Sequence, residues 1–164
     1  LAGALLMTVS SYLVIPMVPI PITMQTLAVT TIGAVYGPRL GFATVLLWLV
    51  LGAAGLPFFA GGGGGLQHLI GPTAGYLIAF PFAAGITGFL VGRGWNAQKF
   101  GLAFAAMLIG NLVCLSGGAG WLATKAGFSV ALMKGFAPFL LGAGIKSVMG
   151  AAILHLIAKI APGK

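Results

Sequence analysis

Long apolar runs broken by proline or glycine dominate the chain from its first residues. The first run, residues 2–15, meets Pro16, Pro19 and Pro21, whose spacing removes the donors a helix needs and predicts a structured turn. A second helix is expected over 25–36, ending at Gly37-Pro38, and a third over 40–56, ending at Pro57. A fourth covers 73–92 with Pro81 as an internal kink, and closes on the polar stretch Arg93-Gly94-Trp95-Asn96-Ala97-Gln98-Lys99. A fifth spans 100–122, a less regular stretch follows over 123–137, and a sixth helix spans 138–160.

These runs have the length of membrane helices, which need about 20 apolar residues to cross about 30 Å of hydrocarbon. Residues 25–36 are too few to cross alone, so that helix must lean on a neighbour or extend into the proline segment. Composition agrees: 60% of the 164 residues are hydrophobic and 5% charged, against about 25% charged in soluble domains. The chain therefore reads as an all-α integral membrane protein of six transmembrane helices, forming one domain over residues 1–164 and expected to be trimmed at its N-terminus. No separate signal peptide is evident. With the N-terminus inside, Arg39, Arg93, Lys99, Lys159 and Lys164 fall on the inner side and Lys125 and Lys134 on the outer, which favours an N-in, C-in topology. The proline turn, the glycine-rich loop and residues 123–137 then share the external face.

Charge narrows the chemistry. The formal net charge of +8 arises because there is no Asp or Glu. The eight Lys and Arg stand singly between apolar runs and form no stripe, which argues against nucleic-acid binding. Without carboxylates there is no acidic proton relay, no carboxylate sodium site and no carboxylate general acid or base, so no catalytic residue is assigned. The single Cys114 sits in an apolar run, and His68 and His155 fall at opposite faces, so no metal ligand set and no cofactor is expected. Residues 142–147, GAGIKS, lack the second glycine of a phosphate loop and lie in a membrane helix.

Two features suggest a ligand site. Phe59 to Tyr76 carries five consecutive glycines, Gly61 to Gly65, followed by Gln67, His68 and Gly71-Pro72-Thr73. Glycines expose backbone amides, and the proline suits the first turn of the next helix, so the segment is either an amide-rich lid over an external site or a flexible linker. Lys146 lies about two turns into the sixth helix, where an ammonium is costly and usually functional. The chain offers it no carboxylate, so its partner is a ligand anion, or else it snorkels to a lipid phosphate. Asn111, in the middle of the fifth helix, either bridges helices or touches ligand.

Several blocks closely resemble the BioY family: Pro19-Ile20-Pro21-Ile22-Thr23-Met24-Gln25-Thr26, Gly37-Pro38-Arg39-Leu40-Gly41, Gly52 to Gly62, Gly71-Pro72-Thr73-Ala74-Gly75-Tyr76, and Pro138-Phe139-Leu140 with Lys146. BioY is the biotin-capturing S component of energy-coupling factor (ECF) transporters. The resemblance covers nearly the whole chain. It implies an S-component-like six-helix bundle in a bacterial plasma membrane that captures external biotin and works with a membrane scaffold subunit and two ATP-hydrolysing subunits. Some members of the family are thought to transport biotin without that module. Many relatives carry an Asp three residues before the lysine, contacting the ureido group of biotin; here that position is Ala143. The ureido ring would then be held by the glycine-loop backbone, Gln67 or Asn111.

Biotin suits such a site, with a carboxylate for Lys146, an aliphatic chain for apolar walls, and a ureido ring with two donors and one acceptor. The candidate ligand-binding residues are Lys146, Gly62, Gly64, Gln67, Thr73, Tyr76, Phe58, Asn111 and Ala143, with Phe59 as a further aromatic. Rival readings are a passive channel for a small solute, with Lys146 as a barrier to cations, and a structural membrane subunit without ligand. Ala4 and Thr8, four apart on the first helix, either approach the scaffold subunit or pack internally.

Overall fold

The computed structural model of the chain describes residues 1–161, so Lys164 of the charge count lies outside the described residues. Among the described residues, four helical stretches are long and apolar enough to cross a membrane: Gln25–Ala53, Ala74–Gly92, Phe100–Ala126 and Phe128–Ile160.

Helix α1, Ala2–Tyr12, is shorter than expected. Its eleven residues cover about 16 Å at the helical rise, well short of the bilayer core. Ile15 precedes Pro16, and the residue before a proline is pushed towards extended backbone. The chain accordingly leaves the helix at Leu13, and β1 (Val14–Ile15) pairs antiparallel with β2 (Ile22–Thr23), Val14 opposite Thr23. Three prolines had deprived the segment of helical hydrogen bonds, and this two-stranded ladder answers some of that loss.

Helix α2, Gln25–Ala53, is broken at Gly37, whose φ of 81° and ψ of 175° are non-helical. A left-handed φ favours glycine, and Pro38 then restarts the helix without needing a donor. The two arms fold back on each other: a Cβ added at Gly41 would lie 2.9 Å from the Cα of Gly33. On its other side Gly33 faces α3 (Ala74–Gly92), where a Cβ would lie 2.8 Å from the Cα of Ala84. Small side chains let three helical segments meet at backbone distance, a form of packing favoured in lipid. The short second helix thus leans on both its own hairpin partner and α3.

Helix α4 runs Phe100–Ala126, longer than expected, and the less regular stretch anticipated over 123–137 consists of a break at Gly127 and a π-helical turn over Ala131–Phe136. Beyond Gly127, α5 (Phe128–Val130), the π-helical turn and α6 (Ala137–Ile160) form one helical rod. No proline interrupts this stretch before Pro138, and that proline sits at the start of α6, where its missing donor is tolerated. Helix α3 packs between α2 and α4, and α6 against α4 and α2. The core joins Met7 of α1, Trp48 of α2, Phe80 of α3, Leu115 of α4 and Phe139 of α6.

Candidate functional site

A cavity of about 390 Å³ opens where the proline turn, the glycine-rich loop and the first halves of α3 and α6 meet the middle of α4. Its volume lies within the roughly 300–1,000 Å³ of small-molecule sites. Of the residues singled out above, Lys146, Gln67, Thr73, Tyr76, Asn111, Ala143 and Phe59 line it; Phe58, Gly62 and Gly64 do not.

Lys146 is 8% exposed. Its Nζ donates to Thr23 O at 2.5 Å and Thr26 Oγ1 at 3.1 Å. Both acceptors are neutral, so the ammonium is positioned but its charge is uncompensated. An ammonium has three donors, which leaves one proton beyond these two bonds. Thr23 ends the ladder to Val14 and Thr26 lies in the first turn of α2, so the proline segment folds to present them. Neither threonine was singled out from the sequence. The signal was the position of both inside the Pro-Thr-Met-Gln block, which shows only once that block is placed opposite α6.

Two buried amides line the same cavity as the lysine. Asn111, 1% exposed, donates through Nδ2 to Met107 O at 3.0 Å and Ser147 Oγ at 3.2 Å. Ser147 donates its own proton to Ala143 O at 2.6 Å, so its oxygen must accept from Asn111 and the amide orientation is fixed. Asn111 therefore bridges α4 to α6, and it also lines the cavity, with its Oδ1 unengaged among the described residues. Gln25, 4% exposed, also lines the cavity, and its Nε2 has no partner among the described residues. Its Oε1 accepts from Thr23 Oγ1 at 3.0 Å. Gln25 lies within the Pro19–Thr26 block and is not among the candidate site residues above.

The glycine loop is ordered, and the amides of Phe59, Gly62, Gly63 and Gly65 are taken by backbone carbonyls. Gly62 N donates to Phe59 O at 2.9 Å, Phe59 N to Gly63 O at 2.8 Å, and Gly65 N to Gly52 O at 2.8 Å. The expectation of exposed loop amides is corrected for these residues: a tightly folded loop pairs its donors with its own carbonyls and with the end of α2. Gly62, with φ of 82°, faces Tyr12, and a Cβ there would lie 3.3 Å from that ring. Gly64 faces the carbonyls at the end of α2, with a Cβ 3.0 Å from Gly55 O. Phe58 turns to the core cluster instead of the cavity. What the loop gives the cavity is Phe59, Ala60, Gln67 and His68. Phe59 is held edge-on by Trp48, centroids 5.4 Å apart, and His68 packs edge-on against Phe59 at the same separation.

Tyr76 lines the cavity from α3, and its hydroxyl donates to Gly135 O in the π-helical turn. Trp121 of α4 donates from Nε1 to Gly71 O at 2.9 Å, tying the end of the loop to the bundle. Gly71, Pro72 and Thr73 all face the cavity at the start of α3. Ala143 stands one turn before Lys146 on the same face of α6, a small apolar wall. On α1, Thr8 Oγ1 donates to Ala4 O at 2.9 Å and accepts from Trp48 Nε1 at 3.2 Å, and Ala4 packs on the core. That geometry favours internal packing for this pair over a scaffold contact. At the other end of the bundle, His155 Nδ1 lies 3.2 Å from Ala97 O, and the Arg93 guanidinium stands 4.7 Å over Phe89.

Chemically, among the described residues the cavity offers the uncompensated cation of Lys146, a free amide donor on Gln25, amide acceptors on Asn111 and Gln67, and walls of Phe59, Phe80, Tyr76 and Phe139. That arrangement suits an elongated ligand with an anionic end, polar groups of both kinds and an apolar body.

The family model described as the BioY family matches residues 1–163. A probable biotin transporter BioY of Pyrococcus horikoshii is 40% identical over 141 residues, covering 86% of this chain and 80% of that protein. The biotin transporter BioY2 of Lactococcus lactis is 38% identical over 151 residues, covering 90% of this chain and 81% of that one. Among solved structures, the S-component for biotin from an ECF-type ABC transporter superposes with a TM-score of 0.86 at 26% identity, over 96% of this chain and 87% of that chain.

Proposed function

The chain belongs to the BioY family, and on that premise we propose that it captures biotin at the external face of a bacterial plasma membrane and carries it across. The work is transport, not catalysis. The observation that carries the reading is the ammonium of Lys146, buried in the cavity against neutral oxygens alone. A buried charge without a counter-ion is costly, and a ligand carboxylate offsets that cost. Lys146 takes the carboxylate, and the apolar walls of Phe59, Phe80 and Phe139 take the chain and rings. The ureido N–H groups find acceptors in Asn111 Oδ1 and in Gln67, whose own amide nitrogen is occupied by Gly64 O at 2.7 Å. Ala143 leaves the ureido group without the carboxylate that the family resemblance leads one to expect there.

Six membrane segments in an N-in, C-in arrangement fit the reading. The hairpin at Gly37 supports counting α2 as two segments. Arg93 and Lys99 stand at the end of the bundle away from the cavity, together with Lys159 at the end of α6, which supports placing that end in the cytoplasm. Energy for uphill uptake comes from a scaffold subunit and two ATPases, because the chain holds neither a phosphate loop nor a carboxylate for coupling to an ion gradient. Equilibrium binding of labelled biotin to the purified protein tests the reading. Saturable binding that unlabelled biotin displaces is expected; flux of small solutes without saturable binding would favour a channel.

A further inference from the structure

The lysine does not stand alone at its end of the cavity. Its Nζ lies against Thr23 O and Thr26 Oγ1, the residues on either side of the Met24-Gln25 pair, so the ammonium sits at the point where Gln25 begins α2. The Gln25 amide is oriented by the same threonine that receives the lysine. Thr23 Oγ1 accepts from the backbone N–H of Gln25 at 3.4 Å and donates its own proton to Gln25 Oε1 at 3.0 Å. The oxygen of the amide is thereby committed, and the Nε2 is the end left over. That nitrogen is buried, lines the cavity and has no acceptor among the described residues. An unpaired buried donor is normally destabilising. Here it is held in place by a dedicated hydroxyl, beside a cation that is also short of an acceptor.

We infer that Gln25 is a ligand-binding residue: its Nε2 donates to the acceptor group that Lys146 binds, so that one anionic group on the ligand receives a charged and a neutral donor from opposite elements of the fold. The N-terminal end of α2, where Gln25 is the first residue, adds positive potential at the same spot. Thr23 is the hinge of the arrangement, taking the lysine on its carbonyl and aiming the glutamine with its hydroxyl. The inference rests on the biotin reading above, in which that group is the carboxylate.

The test measures equilibrium binding of biotin and of biotinol, its analogue with the carboxylate reduced to an alcohol, to purified wild-type, Gln25→Leu, Gln25→Glu and Lys146→Met proteins. Gln25→Leu should weaken biotin by about 10- to 100-fold, the worth of a hydrogen bond to a charged group, and biotinol by less than about threefold. Gln25→Glu keeps the oxygen that Thr23 needs while replacing the donor by a carboxylate that pairs with Lys146. It should weaken biotin more than Gln25→Leu does, again sparing biotinol, and it carries the test if the leucine variant does not fold. Wild-type affinity for biotin in both Gln25 variants, with Lys146→Met impaired, would overturn the inference and leave the functional reading standing. Equal losses for biotin and biotinol in a folded Gln25 variant would also overturn it. Absence of biotin binding by the wild-type protein would remove the functional reading itself.

Discussion

Replacing Lys146 by Met probes the site with little change in side-chain length or apolar volume. The ammonium makes two hydrogen bonds, to Thr23 O and Thr26 Oγ1, and has one proton left for a ligand. Losing a charge-assisted contact to a carboxylate removes roughly 1.5–3 kcal/mol, which corresponds to about 10- to 150-fold in Kd. The empty protein should respond in the opposite sense. With ligand absent, the lysine is a buried cation facing neutral acceptors, so methionine relieves desolvation while orphaning two oxygens, of which Thr26 Oγ1 is a hydroxyl that can turn to another acceptor. These effects oppose each other, and the thermal midpoint of the empty variant should match or slightly exceed that of the parent. The assay is equilibrium binding of biotin and of biotin amidated at its carboxylate, alongside thermal unfolding in detergent. Biotin should lose most of its affinity and the amide much less. Equal losses for both ligands would refute the assignment of Lys146 to the carboxylate, and a large drop in the midpoint of the empty protein would mean that the lysine is a structural strut.

Valine at Gly62 and Gly64 should lower thermal stability as well as biotin affinity, because Gly62 has a left-handed φ of 82° and a Cβ at Gly64 meets backbone carbonyls at the end of α2; unchanged unfolding with both valines present would return the loop to a linker. Tyr76→Phe removes the donor to Gly135 O and should reduce stability by about 1 kcal/mol while leaving biotin affinity within about twofold, as judged by thermal unfolding and binding. In liposomes containing only this protein, internal biotin should not exceed external biotin under an imposed proton, sodium or membrane-potential gradient; accumulation would point to Lys146 or His68 as a coupling group.

The membrane class and most helix positions were legible because lipid demands long apolar runs, and because proline and glycine interrupt them visibly. Lys146 stood out for the same reason, as a charge in a run that has no use for one. Proline positions also located the segment between Pro16 and Pro21, but not its strands: a two-residue ladder has no periodicity to read, and its pairing follows from the turn between. The glycine loop was legible as a site element and misread in its means. Composition shows which amides lack side chains over them, whereas the hydrogen bonds from Gly62 and Gly65 back into the fold depend on the path of the loop. Its contribution passes instead through Phe59, Gln67 and His68. Thr23, Gln25 and Thr26 were missed as site residues because small polar side chains at a helix start ordinarily read as capping, and only the arrival of α6 from more than a hundred residues away turns them into a seat for the lysine.

The central claim is that the cavity around Lys146 is a biotin site, and the most direct test is equilibrium binding of labelled biotin to the purified chain in detergent. The account predicts one saturable site per chain, displaced by unlabelled biotin and markedly weakened in Lys146→Met. Absence of saturable binding by a folded protein, or binding that Lys146→Met leaves unchanged, would contradict it.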